Sequence, residues 1–215
     1  MRGITIILNG ESLHTGNDLD LVQEKKEIGK PTVQSYTVQV PGRNGLLNLT
    51  KALTGKVSYY NRTLSFQYFG SGSRAGLLEL DAIMSRFHGE TIRIIDDDYP
   101  DHYYEGEATV SAAFNGVYII ITLTVNAQPF RLKTAKTVVS RTVNGDLTLT
   151  LKNESIDVIP TVKVTADTTI IFNGVTVSLS AGTYVDEALT LHKGDNVLEI
   201  SGTGTITVEY QEGAI

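Results

Sequence analysis

The sequence predicts a mainly β protein in two parts: an N-terminal antiparallel β-sandwich or split barrel carrying one α-helix, and a C-terminal β-sandwich. Three observations carry this. Leu64, Phe66 and Tyr68 alternate with Ser65 and Gln67, the period of a half-buried antiparallel strand. Only Ser73 to Gly89 has a helical period. After Arg131, Thr and Val dominate and turn signals recur at short intervals, the pattern of a sandwich or jelly roll.

The elements follow in order. Ile4–Leu8 reads as a short strand ending at the Asn9-Gly10 turn. Leu19–Val40 is more polar and reads as two strands about Ile28-Gly29-Lys30-Pro31, a hairpin that could serve as an arm. A loop with two glycines, Pro41-Gly42-Arg43-Asn44-Gly45, leads to a short strand at Leu46–Leu49. Val57–Phe69 is predicted as one long strand. Ser73 is the expected N-cap of the helix, whose apolar face is Leu77, Leu80, Met84 and Phe87, with Gly89 as its C-terminal stop and His88 placed to favour the negative end. Ile92, Ile94 and Ile95 form the next strand. Asn115-Gly116 joins Ala108–Phe114 to Val117–Val125, with both turn residues tolerating positive φ. Leu132–Val138 reads as a linker. Further turns are expected at Asn144-Gly145, Asn173-Gly174, Ala181-Gly182, Lys193–Asn196 and Gly202-Thr203-Gly204. The chain therefore divides into domains 1–133 and 134–215.

Composition narrows the chemistry. The 215 residues carry a net charge of −6, which removes the global basic field of a nucleic-acid binder. With no Cys there is neither a disulfide framework nor a thiolate metal site. The apolar run Ile4–Leu8 is too short for a secretory signal, and Val117–Val125 is too short to span a bilayer, so a soluble protein folded in a cytoplasm is expected.

Four chemical readings compete with bland ones. Phe66–Asp98 has the order strand, Gly-rich turn, helix, strand, acid, which mimics a dinucleotide fingerprint. Yet Gly70, Gly72 and Gly76 are spaced one residue too far, the first strand alternates, and a doubly wound fold needs several βα repeats. A glycine-rich connection into one packing helix is the better reading. Asp96, Asp97, Asp98, Asp101, Glu105 and Glu107 could suggest a cation, but lack the EF-hand spacing and read as a solvated turn closed by Pro100. His14, His88, His102 and His192 are scattered, with no nucleophile or acid set, so no catalytic residue, cofactor or metal is expected. A glycan site in the C-terminal part would have only Phe172, Tyr184 and Tyr210 on which to stack a sugar.

The most specific text is VPGRNGLLNLTKALTGKVSYYNRTLSFQYF, Val40–Phe69. Its Pro-Gly-Arg-x-Gly loop, Leu-x-Leu-Thr segment and Asn-Arg-Thr-Leu-x-Phe strand resemble the N-terminal part of the distal tail protein (Dit-like) family of siphophages and prophages of Gram-positive hosts. The likeness continues through His88-Gly89, Ile92–Ile95, the Asp-rich turn, Tyr103-Tyr104-Glu105-Gly106 and Gln128-Pro129-Phe130, covering most of residues 1–132.

The resemblance implies a structural protein of a phage tail tip or baseplate in the virion, assembled in the host cytoplasm, and not an enzyme. It implies a ring, commonly a hexamer, that joins the tail tube protein to tail-tip proteins and leaves a channel for DNA passage without specific binding. It also implies a C-terminal galectin-like sandwich, with a carbohydrate- or protein-binding module for host adsorption as the alternative function. No membrane partner is expected. The candidate subunit or partner contacts are Pro41, Gly42, Arg43, Asn44 and Gly45 as a shaped loop, and Asn61 and Arg62 as polar anchors. Arg43 or Arg62 could pair with a neighbour's carboxylate.

Overall fold

A computed structural model describes residues 3–55 and 57–215; Met1, Arg2 and Lys56, which fall in stretches singled out above, lie outside them. The chain forms two compact units, one of residues 1–131 with Ile215 and one of residues 132–214.

The first unit contains β1 (Ile4–Leu8), β2 (Glu11–His14), β3 (Val22–Ile28), β4 (Thr37–Gln39), β5 (Leu46–Asn48), the short helix α1 (Thr50–Thr54), β6 (Arg62–Ser71), α2 (Arg74–Met84), β7 (Thr91–Asp96), β8 (His102–Phe114) and β9 (Tyr118–Ala127). Its main sheet is antiparallel in the order β2-β1-β7-β8-β9-β6-β3. Period-2 alternation sends Ile4 and Ile6, Leu64, Phe66 and Tyr68, Ile92 and Ile94, and Ile119 to Val125 into one core with Met84 and Phe87.

The sheet curls. In a flat sheet β3 and β7, four steps apart, would be separated by about 19 Å at roughly 4.8 Å per step. Instead Lys26 Nζ of β3 lies 2.8 Å from the Asp96 carboxylate of β7 and also pairs with Asp98. The β3 edge is thus latched onto β7, two strands in from the opposite edge, which makes the unit a half-open barrel.

The strands before and after α2 are not parallel neighbours: β6 pairs with β9 and β3, and β7 with β1 and β8, all antiparallel. That geometry has no crevice for a pyrophosphate. Gly70 instead lets Leu21 approach, since a Cβ there would sit 2.9 Å from Leu21 Cδ2. Ser73 caps α2 by accepting from the Gly76 N–H at 3.5 Å, and Gly89 adopts φ +80° where the chain turns back.

Several local expectations need correction. Leu19–Val40 is not a hairpin, because β3 finds its partner in β6 and β4 pairs with β5. The strand predicted over Val57–Phe69 starts only at Arg62. At the β8–β9 turn only Gly116 has positive φ; Asn115 acts through its side chain, whose Oδ1 accepts from the Val117 and Tyr118 N–H groups. His88 does not serve the helix end: its Nδ1 accepts from the Val110 N–H at 3.1 Å. Nor is the Asp run wholly solvated. Asp96 is buried, and Asp97 accepts from the Gly3 N–H and from His14 Nε2.

β10 (Arg131–Lys133) starts on the last residue of the first unit, and the second unit continues with β11 (Thr137–Asn153), β12 (Thr161–Val164), β13 (Thr168–Phe172), β14 (Val175–Leu179), β15 (Gly182–Val185), β16 (Gly194–Tyr210) and β17 (Gly213–Ala214). β11 and β16 pair over their whole length, from Thr137 opposite Tyr210 to Asn153 opposite Gly194. Asn144-Gly145 and Gly202-Thr203-Gly204, expected as turns, therefore face each other in mid-ladder. The expected linker is partly strand, since β10 pairs with β17 and β11 starts at Thr137.

Those glycines, with φ of +90°, +148° and +100° at 145, 202 and 204, crease the ladder. On one side of the crease β13 and β14 extend β16; on the other β12 and β15 do. Leu149, Leu151, Leu198, Ile200, Ile170 and Phe172 from one half share a core with Val143, Val162, Val164, Ile206, Val208 and Tyr210 from the other. A sandwich thus arises from one folded sheet. The crease is tight: a Cβ on Gly202 would lie 2.6 Å from the Asp167 backbone oxygen.

Candidate subunit-contact arm

The described residues of 29–61 form a narrow ribbon, and none of their described side chains joins the core of the first unit. Its rungs run from the base to the tip. Tyr60 N–H donates to Thr32 O and Gln34 N–H to Ser58 O, both at 2.8 Å, around the Val33–Tyr59 bridge. Leu49 N–H donates to Tyr36 O at 2.8 Å, and β4 pairs with β5 from Thr37–Asn48 to Gln39–Leu46. Asn48 Oδ1 caps α1 by accepting from the Thr50 N–H, and the Thr50 hydroxyl accepts from the Tyr36 N–H.

Pro41–Gly45 is the tip. Gly42 and Gly45 both have φ near +80°, at +79° and +78°, and the Arg43 N–H closes the turn on Val40 O at 3.1 Å. All five tip residues are exposed. Asn61 and Arg62 lie at the opposite end of the ribbon, so the structure does not bring the seven candidate residues into one cluster. Asn61 is exposed. Arg62 is 4% exposed: its Nε donates to Gly29 O at 2.7 Å, its Nη1 to Pro129 O at 3.4 Å, and its guanidinium lies 5.3 Å from the Tyr104 ring centroid. Burial lowers its proton affinity; the Tyr104 hydroxyl opposes this and the charge of Arg131 adds to it. Arg62 therefore fastens the arm to the barrel, helped by Tyr59, which meets Phe130 edge-on at 5.6 Å.

Sequence reasoning missed what the arm displays. Val33, Tyr36, Val38, Leu46, Leu53 and Tyr60 are all largely exposed. Two-stranded ribbons are marginally stable alone, and clustered exposed apolar side chains mark interaction surfaces. The available signal was the Val-x-Val of Val38–Val40 and the Leu46-Leu47 pair beside a glycine loop.

In the second unit the aromatic rings are not displayed. Phe172 and Tyr210 are buried, and Tyr184 packs on the core with its hydroxyl donating to Ser180 O. Among the described residues no group of three or more His, Asp or Glu could hold a metal ion, and no helix is long and apolar enough to cross a membrane.

No family model matches the chain, and no curated protein does. A solved structure does match: the SPP1 Dit (gp 19.1) protein, described as a paradigm of the hub adsorption apparatus in phages infecting Gram-positive bacteria, superposes with a TM-score of 0.68 over 99% of both chains at 14% identity. The chain has the fold of SPP1 Dit. At that identity the likeness rests on architecture across both units, including the arm-bearing first unit, and not on shared side chains.

Proposed function

We propose that the protein is a structural, non-catalytic component of a phage tail tip. In this reading unit 1 forms a ring-shaped hub, a hexamer, that joins the tail tube protein to tail-tip proteins and leaves a channel through which DNA passes unheld. The C-terminal unit is an accessory sandwich on that hub. The site of action is the virion tail tip, after assembly in the bacterial cytoplasm.

The observation that carries the proposal is the arm: a thin ribbon with seven exposed large apolar side chains among its described residues, Val57 included, fastened at its base and lacking a cover of its own. A closed ring repeats one heterologous contact, so each arm is covered by the next subunit and no apolar face is left over. The likeness to a hub protein over the full chain supports the same reading. Within it, Pro41, Gly42, Arg43, Asn44 and Gly45 shape the arm tip that meets the neighbour, while Asn61 and Arg62 set the angle at which the arm leaves the barrel.

Native mass spectrometry and negative-stain imaging of the purified chain test this. A ring is expected, and the double substitution Leu46→Asp, Leu53→Asp should dissolve it while circular dichroism stays unchanged. A parent chain that is strictly monomeric at high concentration, alone and beside its tail partners, would refute the proposal.

A further inference from the structure

A basic cavity on the first unit lies at the base of the arm, away from its tip and its exposed apolar side chains. It holds about 410 Å³ and is lined by Lys26, Lys30, Arg62, Asp98, Tyr104 and Arg131, among others. Its charges do not balance locally. Lys26 is taken by Asp96 and Asp98, which leaves Lys30, Arg62 and Arg131 with no ion pair among the described residues.

The two arginines are the telling groups. Arg62 gives Nε and Nη1 to neutral carbonyls, and its Nη2 finds no acceptor among the described residues. Arg131 lies over the Tyr99 ring, 4.6 Å from its centroid, and its Nε is buried without an acceptor. Burying a guanidinium away from water is costly unless a counter-charge and full hydrogen bonding offset it. Two guanidiniums at one cavity add mutual repulsion, and Arg131's charge is already felt at Arg62. Both costs vanish when an anion with several acceptor oxygens sits between them, the arrangement in which arginine is most effective.

We propose that this cavity is an oxyanion site, in which Arg62, Arg131 and Lys30 hold a carboxylate or phosphate group. Two sources present that chemistry: a free inorganic oxyanion, or an acidic side chain of a second copy of this chain. Only the second rests on the assembly reading above.

The test uses the full chain and two variants, Arg131→Gln and Lys30→Gln; Arg62 is left alone because it fastens the arm. Inorganic phosphate is titrated calorimetrically at low ionic strength. Saturable binding by the parent, weakened at least tenfold by Arg131→Gln and severalfold by Lys30→Gln, supports the site with a free anion in it. If the parent takes no phosphate, sedimentation velocity decides: self-association lost in both variants identifies the carboxylate of a second copy. Should Arg131→Gln fail to fold, Lys30→Glu replaces it in both measurements. Folded variants that match the parent in phosphate binding and in association overturn the proposal. Association that persists in them leaves the hub reading standing and sinks only this one.

Discussion

Lys26→Met should open the latch of the half-open barrel, and the structure sets the size of the effect. The Asp96 side chain is 2% exposed and has two donors, Lys26 Nζ at 2.8 Å and the Asp98 N–H at 3.1 Å. Without the lysine a buried carboxylate keeps one backbone donor and no counter-charge. Removing one partner of a buried pair typically costs 3–5 kcal/mol; with Lys26 about a quarter exposed, the low end applies, roughly 3 kcal/mol. For a unit of this size that corresponds to a fall of about 11 °C in Tm. Adding Asp96→Asn removes the stranded charge and should restore at least about 2 kcal/mol. The pH dependence has a defined sign. Burial pulls the Lys26 pKa down, but its hydrogen bonds to Asp96 and Asp98 outweigh this and raise it above the ordinary 10.5. Its stabilisation is therefore complete below about 10.5 and is lost as pH rises through the higher folded value, so parent and variant should converge there. Thermal unfolding followed by circular dichroism, reading the transition of the first unit, measures all three quantities. A single variant costing under about 1 kcal/mol, or a double variant no better than the single, would refute the latch.

Other substitutions probe separate features. Gly202→Ala should destabilise the second unit by about 3 kcal/mol in chemical denaturation, because the new methyl meets the Asp167 carbonyl oxygen at 2.6 Å and the residue has φ +148°. Asn196→Ala should cost about 2 kcal/mol in the same assay. It removes the side chain that accepts from the His192 N–H and donates to the backbone oxygens of His192 and Gly194, leaving buried groups unpaired.

How legible was this protein in its sequence? The helix was nearly complete there, because Ser73, the apolar face and Gly89 are local signals acting within one element. The strand alternation in β6 and β9 was equally plain, since each buries one face against a single core. The role of Arg62 was not. Its partners Gly29 and Pro129 are 33 and 67 residues away, and nothing near Arg62 says that they converge. The oxyanion cavity is less legible still, for Lys30, Arg62 and Arg131 come from three parts of the chain joined only by the sheet order.

The Asn-Gly dipeptides show why local chemistry stops short. Asn9-Gly10 and Asn173-Gly174 both adopt positive φ at the two positions and join strands that pair with each other, Leu8 with Glu11 and Phe172 with Val175. Asn144-Gly145 has the same chemistry and makes no turn. The segments on either side of it cannot pair with each other, because both are already paired with β16, seventeen residues against seventeen. Its glycine still supplies a positive φ, but that freedom is spent on a crease, opposite the crease that Gly202 and Gly204 make in the partner strand. A dipeptide therefore specifies which backbone angles are cheap, whereas the competing partner decides whether those angles reverse the chain or bend it. The same competition explains the arm: β3 was drawn to β6, which left β4 with no partner but β5 and placed a ribbon of exposed apolar side chains outside the barrel.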